Sequence, residues 1–211
     1  MIRIGTAFLV PAEDGYTLVD VGWAGAPDRI SAQLDGRLDQ IRRIVLTHAH
    51  PDHVQGVAAM KARTGAEVLI HEADAGWLAA GRVPPAGRSG RLGKLIDRAP
   101  LLHWTPVVPD GLLTNGQEVN GLRVIHTPGH TPGHIALLHE ETRTLLAGDA
   151  IFNRGRLSLG PPALATDPAL RADSLTRLPR DVTEVGLAHG KPLRGKDLDG
   201  YRALLDHAQP A

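Results

Sequence analysis

Arg43-Ile44-Val45-Leu46-Thr47-His48-Ala49-His50-Pro51-Asp52-His53 carries an apolar run straight into four metal-ligand side chains within six residues. Arg43 to Leu46 reads as a buried strand, and Val54 to Arg63 repeats apolar residues at helical spacing. The histidines therefore lie just past a strand's C-terminal end, with Asp52 and His53 at the start of the next helix. One rigid turn of this kind can aim His48 and His50 at one ion while Asp52 and His53, a step further round, face a second.

Two ions need more ligands, and three candidates stand at the ends of later strands. His130 follows Thr127-Pro128-Gly129, Asp149 follows Ala147-Gly148, and His189 precedes Gly190. Each comes after an apolar run and adjoins a glycine, so the backbone can turn and leave the side chain at a common edge of a sheet.

Around these positions short apolar runs alternate with helical patterns. Ile2 to Val10 and Tyr16 to Val21 read as two strands joined at Asp14-Gly15, followed by a helix from Ala26 to about Asp39. Thr64-Gly65 ends the helix Val54 to Arg63 before a strand at Glu67 to Ile70. Further strands are expected at Leu122 to Ile125, His134 to Leu138, Thr144 to Leu146 and Val182 to Ala188. Helices are expected at Pro168 to Leu178 and Lys196 to His207. Residues 81–109, rich in Gly, Pro and Arg, read as an insertion in a single domain spanning 1–211. Leu92, Leu95, Ile96 and Leu101 suit a short amphipathic helix, and the segment is either a lid over the site or a surface excursion.

Composition narrows the chemistry. Lys plus Arg and Asp plus Glu are 23 each, so nothing favours a phosphate backbone as partner. Cysteine is absent, which excludes disulfides, thiolate ligands and a cysteine nucleophile. With nitrogen and oxygen donors only, zinc is expected, and iron and manganese also suit such a set. The N-terminus has no signal-peptide h-region and no apolar run approaches the ~20 residues of a membrane span, so a cytoplasmic protein is expected. Oligomeric state is not written in the sequence.

The pattern H-x-H-x-D-H at 48–53, then His130 in Thr127-Pro128-Gly129-His130-Thr131-Pro132-Gly133-His134, then Gly148-Asp149 and His189-Gly190, resembles the metallo-β-lactamase-fold hydrolases. The likeness runs from Leu18-Val19-Asp20-Val21-Gly22 to Ala188-His189-Gly190. It implies an α+β fold, a four-layer αβ/βα sandwich of two mixed sheets flanked by helices, with His48, His50, Asp52, His53, His130, Asp149 and His189 as metal ligands. Asp20 would support the ligands from behind. An aspartate at 149, where many true β-lactamases carry Cys or Ser, resembles the glyoxalase II, ribonuclease Z and lactonase branches, in which it bridges both ions.

Glyoxalase II proteins usually append a glutathione-binding helical domain, whereas only about twenty residues follow His189 here. Ribonuclease Z uses an arm and a basic surface for transfer RNA, which the neutral charge does not suggest. The resemblance thus implies a binuclear hydrolase acting on a small ester, lactone or thioester by attack of a metal-bridging hydroxide, with Asp52 and Asp149 as the catalytic carboxylates. A mononuclear-iron persulfide dioxygenase, a β-lactamase and a non-catalytic metal binder are the alternatives.

Other side chains are secondary candidates. His134 reads either as a support for the ligands or as a packed strand histidine, and Phe152, Arg154 and Arg156 lie in a loop after Asp149 suited to substrate contact. For His103-Trp104 a solvated pair is the simpler expectation.

Overall fold

The computed structural model describes residues 1–208, which fall into two compact units: 1–85 with 95–113, and 86–94 with 114–208. In the first unit, β1 (Ile2–Ile4), β2 (Ala7–Ala12) and β3 (Gly15–Val19) form an antiparallel ribbon. Gly5, at φ +66, turns the chain between β1 and β2, so Ile2 to Val10 is two strands rather than the single one expected. β4 (Ile41–Leu46), β5 (Glu67–His71) and β6 (Gly111–Leu113) add parallel to β3, giving the order β1-β2-β3-β4-β5-β6.

The parallel crossovers run through α1 (Ala26–Gln33), α2 (Pro51–Val54), α3 (Val57–Thr64) and α4 (Glu72–Ala80). Because β3, β4 and β5 run the same way, Asp20, Thr47–His50 and His71 all emerge at one edge of the sheet, where open α/β sheets place ligands. Leu18, Ile44, Leu46, Val68, Ile70, Ile30, Met60 and Leu78 form the core behind that edge.

The helix expected at Val54 to Arg63 is interrupted at Gln55-Gly56. The Gly56 N–H donates to Gly22 O (3.0 Å) instead of closing a helical turn, and the Asp52 carbonyl accepts from Thr6 Oγ1 (2.9 Å). A Cβ at residue 56 would lie 2.6 Å from Val21 Cγ1, so glycine lets the exit of β3 pack directly on the break. The first helix is also shorter than expected, with a separate 3₁₀ turn at Leu38–Gln40.

In the second unit, β7 (Glu118–Val119), β8 (Leu122–His126), β9 (Ile135–His139) and β10 (Thr144–Leu146) are antiparallel neighbours. A small ribbon, β11 (Phe152–Asn153) with β12 (Leu157–Ser158), follows; then β13 (Glu184–Gly186) pairs parallel to β10 and β14 (Leu193–Arg194) closes the sheet in the order β14-β13-β10-β9-β8-β7. Both six-stranded sheets are therefore mixed. α5 (Gly90–Ile96), α6 (Leu170–Leu175) and α7 (Asp197–Ala208) complete the α-helices among the described residues.

His134 precedes β9 instead of starting it, and α6 and β13 are shorter than the expected helix and strand. The α7 helix buries Leu198, Tyr201 and Leu205 on one face. Burial raises the pKa of Tyr201, whose hydroxyl donates to Pro179 O (2.6 Å).

Within 81–109 a helix forms as α5, but it ends at Ile96 before Leu101, which lies in a 3₁₀ turn (Pro100–Leu102), and Leu92, Leu95 and Leu101 point to solvent rather than forming an apolar face. Gly93 is buried in their place, because a Cβ there would come within 2.6 Å of Ala163 O and 2.7 Å of Arg88 Cβ. Among the described residues no helix is long and apolar enough to cross a membrane.

Asp110, just before β6, accepts from both Lys61 Nζ (2.7 Å) and the Val68 N–H (2.8 Å). Lys61 first, and the Val68 amide next, hold its carboxyl below the ordinary range. A depressed carboxyl stabilises the fold above its unfolded pKa and loses that contribution as pH falls through the folded one. Asp110→Asn is expected to cost roughly 1 kcal/mol or less at pH 7, the side chain being partly exposed. Urea titration should show the difference shrinking at about pH 3, below the usual aspartate pKa of about 4; an equal difference at both pH values would contradict the assignment.

Candidate metal centre

Asp20 leaves β3 in a left-handed conformation, φ +57, which aspartate tolerates better than most residues. The twist turns its buried carboxylate toward the end of β4. Oδ1 accepts the Thr47 N–H (2.8 Å), and Oδ2 accepts the Thr47 hydroxyl (2.8 Å) and His53 Nδ1 (2.8 Å).

These bonds fix two tautomers. The carboxylate takes the one Thr47 proton, so the contact between Thr47 Oγ1 and His48 Nδ1 (3.0 Å) is donated by the imidazole. His48 and His53 thus both carry hydrogen on Nδ1 and present the Nε2 lone pair on the far side of the ring. Their ring centroids are 4.1 Å apart, and His48 and His50 are 4.8 Å apart.

The His50 carbonyl caps α2, accepting His53 N–H and Val54 N–H, while Asp52 Oδ2 lies 3.8 Å from His53 Nε2. All three histidines are buried, and the Asp52 side chain keeps 22% of its surface exposed. Asp74, in the first turn of α4, was not anticipated. Its buried carboxylate accepts the Ala49 N–H (3.0 Å), holding the turn between the two histidines. The available signal was an aspartate in a helix's first turn directly after a strand.

The second unit gathers another set. Asp149 Oδ2 lies 3.4 Å from His130 Nε2 and 3.4 Å from His189 Nε2. That spacing is about what two donors ~2.1 Å from a common tetrahedral ion leave between them. His134 accepts the Asp149 N–H at Nε2 (2.9 Å), so its Nδ1 donates to Thr127 Oγ1 (2.7 Å). Both of its ring nitrogens are therefore engaged by the protein, and its place is beneath Asp149 rather than among the donors.

The Phe152 ring stacks on His189 at 5.1 Å and 3°, and the exposed Arg154 lies over the same ring at 5.7 Å. The His189 side chain is 21% exposed, while His130 and Asp149 are buried. The buried His48 and His53, locked at Nδ1 by hydroxyl and carboxylate, and the carboxylates beside Nε2 of His53, His130 and His189 fit a hard or borderline divalent cation without sulfur ligands.

Trp104 is not a solvated residue as expected: it is buried and donates to Leu78 O (3.1 Å). His103 lines an open cleft of about 510 Å³ in the first unit with Ala24, Gln55, Pro100, Leu101, Trp104 and Thr105. Gln55 Nε2 donates to the Leu101 and His103 carbonyls and so ties this wall to the end of α2.

The family model of the metallo-beta-lactamase superfamily matches residues 2–189. A probable metallo-hydrolase, YflN of Bacillus subtilis, is 28% identical over 93% of this chain and 84% of its own length. Hydroxyacylglutathione hydrolase of Rhodobacter capsulatus is 34% identical over 78% of this chain, which spans about half of that enzyme (54%). Among solved structures, TTHA1623 in a di-iron-bound form superposes with a TM-score of 0.70 at 29% identity, covering 93% of this chain and 91% of that one.

Replacing Asp20 by Asn exchanges an acceptor for an amide that cannot accept all three bonds. Metal affinity, measured by chelator competition, is expected to fall about 10- to 100-fold, the range for losing a partner behind a ligand. Unchanged affinity in a folded Asp20→Asn protein would contradict the tautomer assignment.

Proposed function

The chain belongs to the metallo-β-lactamase superfamily, a metal-dependent hydrolase, and we propose that it binds two divalent ions and hydrolyses a small ester, lactone or thioester. In this reading His48, His50, Asp52 and His53 act with His130, Asp149 and His189 as ligands, and the span matched by the family model supports treating the two units as parts of one catalytic domain. The observation that carries it is Asp149: one buried carboxylate oxygen lies 3.4 Å from Nε2 of both His130 and His189, a spacing that supports its sharing a cation with each.

When bound, two such ions supply Lewis acidity toward a carbonyl and water made acidic near neutral pH. The chain's own residues do the rest. Asp20 and Thr47 keep His48 and His53 in the tautomer that offers Nε2, and His134 fixes the Asp149 backbone. Asp52, partly exposed, is the ionisable group best placed to pass a proton toward a leaving group.

An apolar substrate body fits the cleft of Pro100, Leu101 and Trp104, with Gln55, His103 and Thr105 as its polar contacts. The hydroxyacylglutathione hydrolase relatives make a thioester the first substrate to test. Zinc is the proposed ion, and the di-iron neighbour makes iron the one to test against it.

Elemental analysis of the purified protein is expected to give close to two ions per chain, with turnover of at least one lactone or thioester in a panel that also holds a phosphodiester and a cephalosporin. A single iron, with oxygen consumed on a persulfide, would replace this reading by the dioxygenase one. Asp149→Ala is expected to lose one ion and at least about a hundredfold in kcat/KM. Full occupancy and activity in that variant would overturn the bridging role.

A further inference from the structure

We infer that the segment 166–177, α6 with the turns that flank it, is a positioning clamp for two loops of the second unit, holding His130 directly and His189 through Phe152. The inference rests on reading both histidines as metal ligands. A loop's carbonyls ordinarily face water. Here four carbonyls in five residues are taken by this one segment: Arg177 Nη1 donates to His126 O (3.0 Å), Ser174 Oγ to Pro128 O (2.6 Å), the Asp167 N–H to Gly129 O (2.9 Å) and the Thr166 N–H to His130 O (3.0 Å).

The fit leaves no slack. Gly129, at φ +122, would with a Cβ come within 2.9 Å of both Arg171 Cγ and Asp167 O, so the loop lies flat on the clamp. The other end of Arg171 reaches the second loop. Its buried guanidinium donates from Nη1 to Leu159 O (2.6 Å) and Gly160 O (3.3 Å). A Cβ on Gly160 would meet the Phe152 ring at 2.5 Å, and that ring is the one stacked on His189. One segment of twelve residues, 166–177, therefore sets the position of two histidines that flank the same Asp149 oxygen.

Neither Ser174 nor Arg171 touches a donor atom of the centre, so they are positioning residues, and their removal should be read at the metal. Cobalt-substituted protein gives the signature: visible d–d bands for ligand geometry and chelator competition for affinity. Ser174→Ala is expected to shift the bands and weaken the more loosely held ion about 10- to 100-fold. The far-UV spectrum of the metal-free protein should not change, and Ser174→Thr, which keeps the hydroxyl, should restore the affinity.

Arg177→Ala, at an exposed position, gives the same readout if Ser174→Ala does not fold, with a smaller loss expected. Folded variants that keep wild-type bands and affinity, in a protein that itself binds cobalt, would overturn the clamp alone. A wild-type protein that binds no cobalt would overturn the metal reading and the clamp with it.

Discussion

The carboxylate of Asp20 is the contact on which the first unit's histidine turn depends. It is buried, accepts three hydrogen bonds, and sits on a residue twisted into a left-handed conformation. A buried carboxylate is costly unless its oxygens are satisfied. The three donors stabilise it, and in return each is held: the Thr47 backbone, the Thr47 hydroxyl and His53. His48 joins through Thr47. The network is closed by backbone contacts, since the Val21 and Gly22 N–H groups both donate to His53 O (3.0 Å each). Rigid placement of this kind lets nitrogen donors meet a cation without paying to reorganise.

The second unit solves the same problem with different parts. Asp149 is set by His134 from the loop before β9, and His130 by a segment 36 or more residues further on. The difference lies in what carries the histidines. Those at 48–53 stand in a strand-to-helix turn whose backbone runs on from β4 into α2, with Asp20 and Asp74 holding it from outside, whereas His130 and His189 stand in loops held by backbone and side-chain bonds from other segments. Glycine at 129 and 190 makes this possible: a Cβ at Gly190 would lie 2.1 Å from Asn153 O, the residue whose N–H bonds His189 O.

Much of this was legible in the sequence because it is local. The cluster at 48–53 and the strand that delivers it are one uninterrupted run, and the apolar pattern marks β3, β4, β5, β8, β9 and β10 within a residue or two. What was not legible depends on distant partners. Nothing near Gly56 announces that its N–H will leave the helix for Gly22 O. Asp74, Thr47 and Ser174 look like ordinary polar residues until the fold brings each to a backbone or imidazole atom. Strands of two residues, such as β7, β11, β12 and β14, are too short to carry a period. Leu92 and Leu95 misled because spacing shows which residues share a helix face, not whether that face meets the core.

Asp20 dictates which nitrogen of His48 and His53 offers its lone pair to a metal, and proton position on an imidazole ring can be observed directly. Long-range ¹H–¹⁵N correlation spectra of the ¹⁵N-labelled, metal-free protein near neutral pH should show both rings as the Nδ1–H tautomer, with unprotonated Nε2. In Asp20→Asn that population should shift. Finding Nε2–H rings at His48 and His53 in the wild-type protein, or no response to the substitution, would contradict the account.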